Sequence, residues 1–206
     1  MMDKLDTFII VESPNKARAI AQYARGVFPG ETVLVRSCLG HLRDLPTGDM
    51  GLDIERNFAP RYVIPKQRTK TVSMLRPLVR QARRVILASD PDREGEAVAW
   101  HVLKVFETEL KGKPVERIAF NAVTRQDVQA ALQKPRKLDT HLVKAAIARR
   151  VMDRLIGYHL SPRLWVAVKG RNLSAGRVQT VALRLLIEQV DRLAAQGDTW
   201  TVEVEL

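Results

Sequence analysis

Residues 85–97 read VILASDPDREGEA: an apolar run, then three acids on alternate positions, Asp90, Asp92 and Glu94, with Gly95 directly behind them. A fourth acid, Glu12, follows a second apolar run, TFIIV, at residues 7–11. Carboxylates in such a setting can do two things. They hold hard cations through oxygen, and a spare carboxyl group can pass a proton. If the two runs are neighbouring strands, the four acids meet beyond the strand ends. Four carboxylates that close cannot all ionise without a cation between them. Oxygen ligands select Mg2+, which takes one or two carboxylates and fills its other positions with water or phosphate oxygens. The chemistry is then phosphoryl transfer, with the metal neutralising phosphate charge. Read singly, Glu94 is an acid that offsets the macrodipole at a helix start by ~0.3–1 kcal/mol. All three acids at this spacing, with Glu12 similarly placed, favour the metal site.

The rest of the chain supplies the opposite charge. The 206 residues carry 34 Lys and Arg against 23 Asp and Glu, a formal net charge of +11. That excess suits a polyanion, most commonly nucleic acid. Arg149, Arg150 and Arg154 fall in one helical stretch, with Arg150 and Arg154 one turn apart and Asp153 able to orient a guanidinium. Arginine's planar fork gives phosphate paired, charge-assisted hydrogen bonds. Ser174-Ala175-Gly176 before Arg177 reads as a helix start with Ser174 as its cap, where small residues admit a backbone and free N–H groups bind phosphate. No apolar run approaches the ~18–20 residues of a membrane span. The start, MMDKLDTFIIVES, has no signal-peptide core, and the single Cys38 cannot form an internal disulfide. A cytoplasmic protein with no membrane contact is expected.

The elements that must position these residues alternate. Strands are expected at 7–13, 31–37, 61–65, 84–90 and 115–121. Helices are expected from Pro14, over 69–83 with a kink or break at Pro77, over 95–110, and after Thr124 as N-cap. Strands separated by helices imply an α/β fold, a mostly parallel sheet covered on both faces. Ligands of such sheets bind beyond the carboxyl ends of the strands, where Glu12 and Asp90 stand. After residue 133 a polar connector leads into a helical, basic segment, 142–158 and then 177–196, and TWTVEVE at 199–205 alternates as a strand should. Two domains are expected, 1–133 and 134–206. Trp100 and Trp165 are expected in the core.

The segments VESPNKA (11–17) and SDPDREGEA (89–97) resemble the Glu and DxDxE motifs of a Toprim domain, specifically that of type IA DNA topoisomerases. GHLRDLP (40–46), AFN (119–121), RVMDRLIGY (150–158) and LSAGRVQT (173–180) match in the same order, and ESPNKA leans toward the bacterial topoisomerase I branch. The resemblance implies a Rossmann-like Toprim sheet. It implies that Glu12 assists proton transfer at the scissile phosphate, that Asp90 and Asp92 hold Mg2+ with Glu94 in support, and that Lys16 faces the phosphate. It carries His41 toward DNA and lines a single-stranded DNA groove with Ser174, Ala175, Gly176, Arg177, Val178 and Gln179. The implied protein is a monomer that breaks, passes and rejoins single strands of negatively supercoiled DNA. Cleavage in this class needs a tyrosine nucleophile, and none of Tyr23, Tyr62 and Tyr158 stands in its motif. The chain alone is therefore expected to be inactive, the N-terminal part of a larger enzyme. The alternative is a stand-alone Toprim nuclease, using water, or a DNA-binding remnant.

Overall fold

A computed structural model describes residues 5–170 and 173–195. The expected strand at 199–205 lies outside the described residues. The chain forms two compact units, Met1–Arg150 and Val151–Leu206.

The first unit is built on a four-stranded sheet in the order β2-β1-β5-β6. Its strands are β1 (Thr7–Val11), β2 (Val33–Ser37), β5 (Arg84–Ala88) and β6 (Val115–Ile118), and all neighbours pair in parallel. Alternation along the strands divides two cores. Phe8, Ile10, Val85 and Leu87 pack with Leu75, Val79, Val98, Val102 and Phe106 on one face. Ile9, Val11, Ile86 and Ala88 pack with Ile20, Val128 and Leu132 on the other. Helix α1 (Pro14–Ala24) and helix α5 (Arg125–Gln133) therefore cover one side. Helix α2 (Lys66–Gln81) and helix α3 (Arg93–Val105) cover the other. All five residues of β1 are buried, as a doubly covered parallel strand requires. Ser13 and Thr124 cap α1 and α5 through their side chains, and Pro14 opens α1 as expected.

The chain leaves β1 to β2 on one side and returns to β5 on the other. The β1–β5 boundary is thus the point where strand order reverses, the customary ligand crevice of open α/β sheets.

Several expectations are corrected. The expected strand at 61–65 is only an antiparallel bridge between Asp44 and Val63. The small hairpin of β3 (Leu52–Asp53) and β4 (Ala59–Pro60) lies in a stretch read as loop. Pro77 does not divide α2. It sits on the exposed face, as does Ser73 four residues earlier, so the carbonyl it leaves without a partner can bond water. The helix expected over 95–110 breaks at Phe106 and resumes as a single turn, α4 (Glu107–Leu110). Helix α6 (Thr140–Val168) runs ten residues past the expected end, with Pro162 inside it. Helix α7 (Arg177–Ala195) begins with Thr180 N–H donating to the Gly176 carbonyl at 2.9 Å, which makes Gly176 the cap and leaves Ser174 outside.

Candidate active site at the carboxyl edge of the sheet

Val11 pairs with Ala88 across the β1–β5 boundary, so Glu12 and Ser89-Asp90 leave the sheet side by side. Glu12 is half-buried beyond the strand end. Lys16, in the first turn of α1, crosses the same boundary, its Nζ donating to Asp90 Oδ1 at 2.5 Å. The β2 tip closes over this edge. Gly40, with φ of +83°, sits where a residue with a Cβ is strained, and its N–H donates to the Glu12 carbonyl at 3.0 Å. That turn brings His41 back to the acid loop, where its Nε2 meets Glu94 Oε1 at 2.6 Å.

Asp92 is the N-cap of α3, accepting the Gly95 N–H at 2.7 Å. Gly95 is fixed by space: a Cβ there would lie 2.3 Å from the Asp90 carbonyl oxygen. Ser89 Oγ donates to the Gly95 carbonyl at 2.6 Å, closing the loop on itself. The DPDREG spacing thus folds the three acids around the start of α3.

Among the described residues no group of three or more His, Cys, Asp or Glu stands close enough to share a metal ion. Asp90, Asp92 and Glu94 are instead engaged singly by Lys16, the Gly95 N–H and His41, each through one oxygen. The donor set fits Mg2+ all the same. It is all oxygen, Asp90 and Glu94 are open to solvent, and Mg2+ asks for only one or two carboxylates with water in its remaining positions.

A "Toprim domain" family model matches residues 7–123, and a "DNA topoisomerase" model matches residues 137–206. The chain belongs to the Toprim family, in its type IA DNA topoisomerase branch. Among solved structures, full-length topoisomerase I from Thermotoga maritima is 40% identical, with a TM-score of 0.70 over 86% of this chain. The match spans 29% of that longer chain. Toprim domains bind metal, usually Mg2+.

The basic residues of this chain fall into two settings. Arg150 grips Asp44 of the GHLRDLP loop, with Nε and Nη2 donating to Oδ1 at 3.0 and 2.8 Å and Nη2 to Oδ2 at 2.7 Å. In the second unit Arg177 Nε donates to Asp153 Oδ1 at 3.1 Å, bringing two of the expected DNA-binding residues together across α6 and α7. Ser174 Oγ lies 3.3 Å from Gln179 Oε1, and Ala175 N–H donates to Ser161 Oγ at 3.1 Å, so the 174–179 turn is held from α6. Val178 is exposed on the first turn of α7, and Arg149 and Arg154 lie on α6 on either side of Arg150. Trp165 is not core: it is exposed, and its indole N–H donates to the Leu173 carbonyl.

Two sets of residues escaped the sequence reading. Glu96 is wholly buried and receives Arg117 Nη2 at 2.8 Å, Arg136, and the Asp139 N–H at 3.0 Å. Arg117, itself 2% exposed, also donates to the Asp90 carbonyl at 2.8 Å. Burial pushes the Arg117 pKa down, and the Glu96 charge beside it works the other way. A signal for Arg117 was present: in VERI it alternates with Ile118, and a strand covered on both faces must bury both.

The second set, Arg43 and His101, lies at a small cavity of about 60 Å³ whose lining also includes His41, Tyr62, Glu94 and Arg150. The Arg43 guanidinium lies 4.8 Å from the Trp100 ring centroid and 5.3 Å from that of Tyr62, and its Nε donates to His101 Nδ1 at 3.2 Å. Burial, reinforced by His41 and Arg43, lowers the His101 pKa to about 3, so it is a neutral acceptor. His101 meets His41 edge to face, with centroids 5.1 Å apart, and backs the ring that reaches Glu94. Trp100 is half-buried in this cluster.

Proposed function

We propose that this chain is the acid-bearing part of an enzyme that breaks and rejoins one strand of DNA, relaxing negative supercoils as a monomer in the cytoplasm. The observation that carries the reading is the contact of Lys16 with Asp90 across the β1–β5 boundary, beside Glu12. An ammonium beside Asp90, at the edge where Glu12 also leaves its strand, supports a site that meets a phosphodiester with positive charge and a proton-carrying group. Asp90 and Asp92, with Glu94 in support and Glu12 nearby, are the residues that would hold Mg2+. When bound, the ion would neutralise phosphate charge. Lys16 offers its ammonium to a phosphate oxygen once released from Asp90, and Glu12 is the carboxyl group placed to give or take the proton of the leaving strand. His41, tied to Glu94, stands where the strand would enter.

The helical segment is the DNA side. Arg149, Arg150, Asp153 and Arg154 on α6, and Ser174 to Gln179 at the start of α7, line the proposed single-strand groove. We assign the metal-bearing role to residues 1–133 and the DNA-binding role to 134–206.

The nucleophile must come from elsewhere. Tyr62 lines the same cavity as Glu94, but burial raises its phenol pKa and disfavours the phenolate. With Mg2+ and supercoiled plasmid, the 206-residue chain is expected to leave the plasmid intact. Adding a tyrosine-bearing C-terminal segment of a type IA enzyme should restore relaxation, and Asp90→Ala should abolish it. Nicking by the chain alone, lost in Asp90→Ala, would instead identify a Toprim nuclease.

A further inference from the structure

A second, larger cleft of about 960 Å³, which shares His41 and Asp44 with the first, opens between the β2-tip loop and the first turn of α2. Gly40, His41 and Thr47 line one side, and Lys66, Gln67 and Arg68 line the other. We propose that this cleft is a second DNA-backbone site. Lys66 and Arg68 would grip the phosphates of the strand as it passes His41 on its way to or from the acid loop. The inference rests on the DNA-cleaving role proposed above.

Three observations support it. Lys66 and Arg68 make no ion pair and no side-chain hydrogen bond among the described residues, whereas Arg61, Arg76, Arg80, Arg83 and Arg84 in the same unit are each held by a carboxylate. The one acid lining the cleft, Asp44, has both oxygens occupied by Arg150, so it does not cancel the two cations. Finally, the cleft shares Gly40 and His41 with the turn that reaches the acid loop. The Arg68 guanidinium lies 4.0 Å from where a Cβ on Gly40 would stand, and Gly40 is bonded to the Glu12 carbonyl. A cationic wall joined to a metal-binding acidic edge through a histidine is a path for a polyanion. It is not needed to support the fold, since Lys66 is exposed and Arg68 only half-buried.

The test uses the 206-residue chain, a fluorescein-labelled single-stranded DNA oligonucleotide and anisotropy across a salt series without Mg2+. Lys66→Ala/Arg68→Ala is expected to bind about tenfold more weakly, equivalent to about 1.4 kcal/mol. Its log–log salt slope should fall by about 1.4, since each single-strand phosphate contact contributes about 0.7. Lys66→Arg/Arg68→Lys should recover most of the affinity, and the double-alanine variant should melt at the wild-type temperature. If the double-alanine variant keeps wild-type affinity and slope while Arg154→Ala binds more weakly, the cleft assignment is overturned and the proposed function stands. If the wild-type chain shows no salt-dependent binding, both fall together.

Discussion

Two arginine–carboxylate pairs in this chain have nearly the same geometry and opposite surroundings. Glu96 and Arg117 meet at 2.8 Å with side chains 0% and 2% exposed, behind the acid loop. Asp153 and Arg177 meet at 3.1 Å with side chains 35% and 40% exposed, joining α6 to α7. The first pair has been taken out of water, so neither partner can be removed without stranding the other. The second remains hydrated and is screened by salt, so its strength as a brace is small and its arginine can change partners. The acid edge is therefore placed by rigid, buried charge. The exposed pair at the start of α7 leaves Arg177 in contact with water.

The sharpest way to break the comparison is Glu96→Gln. It preserves shape but leaves Arg117, and half-exposed Arg136, without their carboxylate. Breaking a buried pair this way costs about 3–5 kcal/mol, which chemical denaturation of the chain would read directly. Because Arg117 also holds the Asp90 carbonyl, the damage should reach the acid loop. A loss below about 1 kcal/mol would mean that the buried pair is no different from a surface one.

What the sequence disclosed and what it hid divide along the same line. The strand tips, the acids at 90, 92 and 94, the α1 start at Pro14 and the Thr124 cap were all legible, because each is a local pattern: apolar run, punctuation, capping residue. The Glu96–Arg117–Arg136 cluster was not. Its members come from α3, β6 and the connector before α6, and only strand order makes them neighbours. Glu96 in isolation reads as one more acid in the first turn of a helix. Pro77 misled in the opposite direction, because whether a helix proline breaks it depends on which face the freed carbonyl meets. The single attachment of Asp90, Asp92 and Glu94 to Lys16, a backbone N–H and His41 was equally illegible. Spacing brings acids to one edge but does not say what each will touch there.

His101 extends the comparison to a buried group that has no countercharge. Glu96 has two guanidiniums, those of Arg117 and Arg136, against its carboxylate. His101, beside Arg43 and His41, gives up its proton instead, and its pKa falls to about 3. An unfolded histidine titrates near 6.5, so below that pH the unfolded chain binds a proton that the native chain refuses. The stabilising contribution is therefore complete above about pH 6.5 and is lost as pH falls toward 3. Between pH 6.5 and 5 it should cost about 2 kcal/mol at 1.36 kcal/mol per unit. His101→Gln, whose amide oxygen can still accept from Arg43, should show a correspondingly flatter stability profile over that window in urea titrations.

The smallest effect is expected at the exposed pair. Arg177→Ala removes a contact that both partners can replace with water, so stability should change by less than about 1 kcal/mol. The same substitution deletes a cation from the start of α7, where the 174–179 turn is proposed to meet single-stranded DNA. Affinity for a single-stranded oligonucleotide should therefore fall, and the salt slope should drop by about 0.7, one phosphate contact. The two readouts separate the possible roles. A brace would lose stability and keep the slope, whereas a DNA ligand held in reserve by Asp153 would lose slope and keep stability. Asp153→Asn sharpens the distinction: freeing Arg177 from its carboxylate should leave binding unchanged or strengthen it, an outcome that a purely structural pair has no reason to produce.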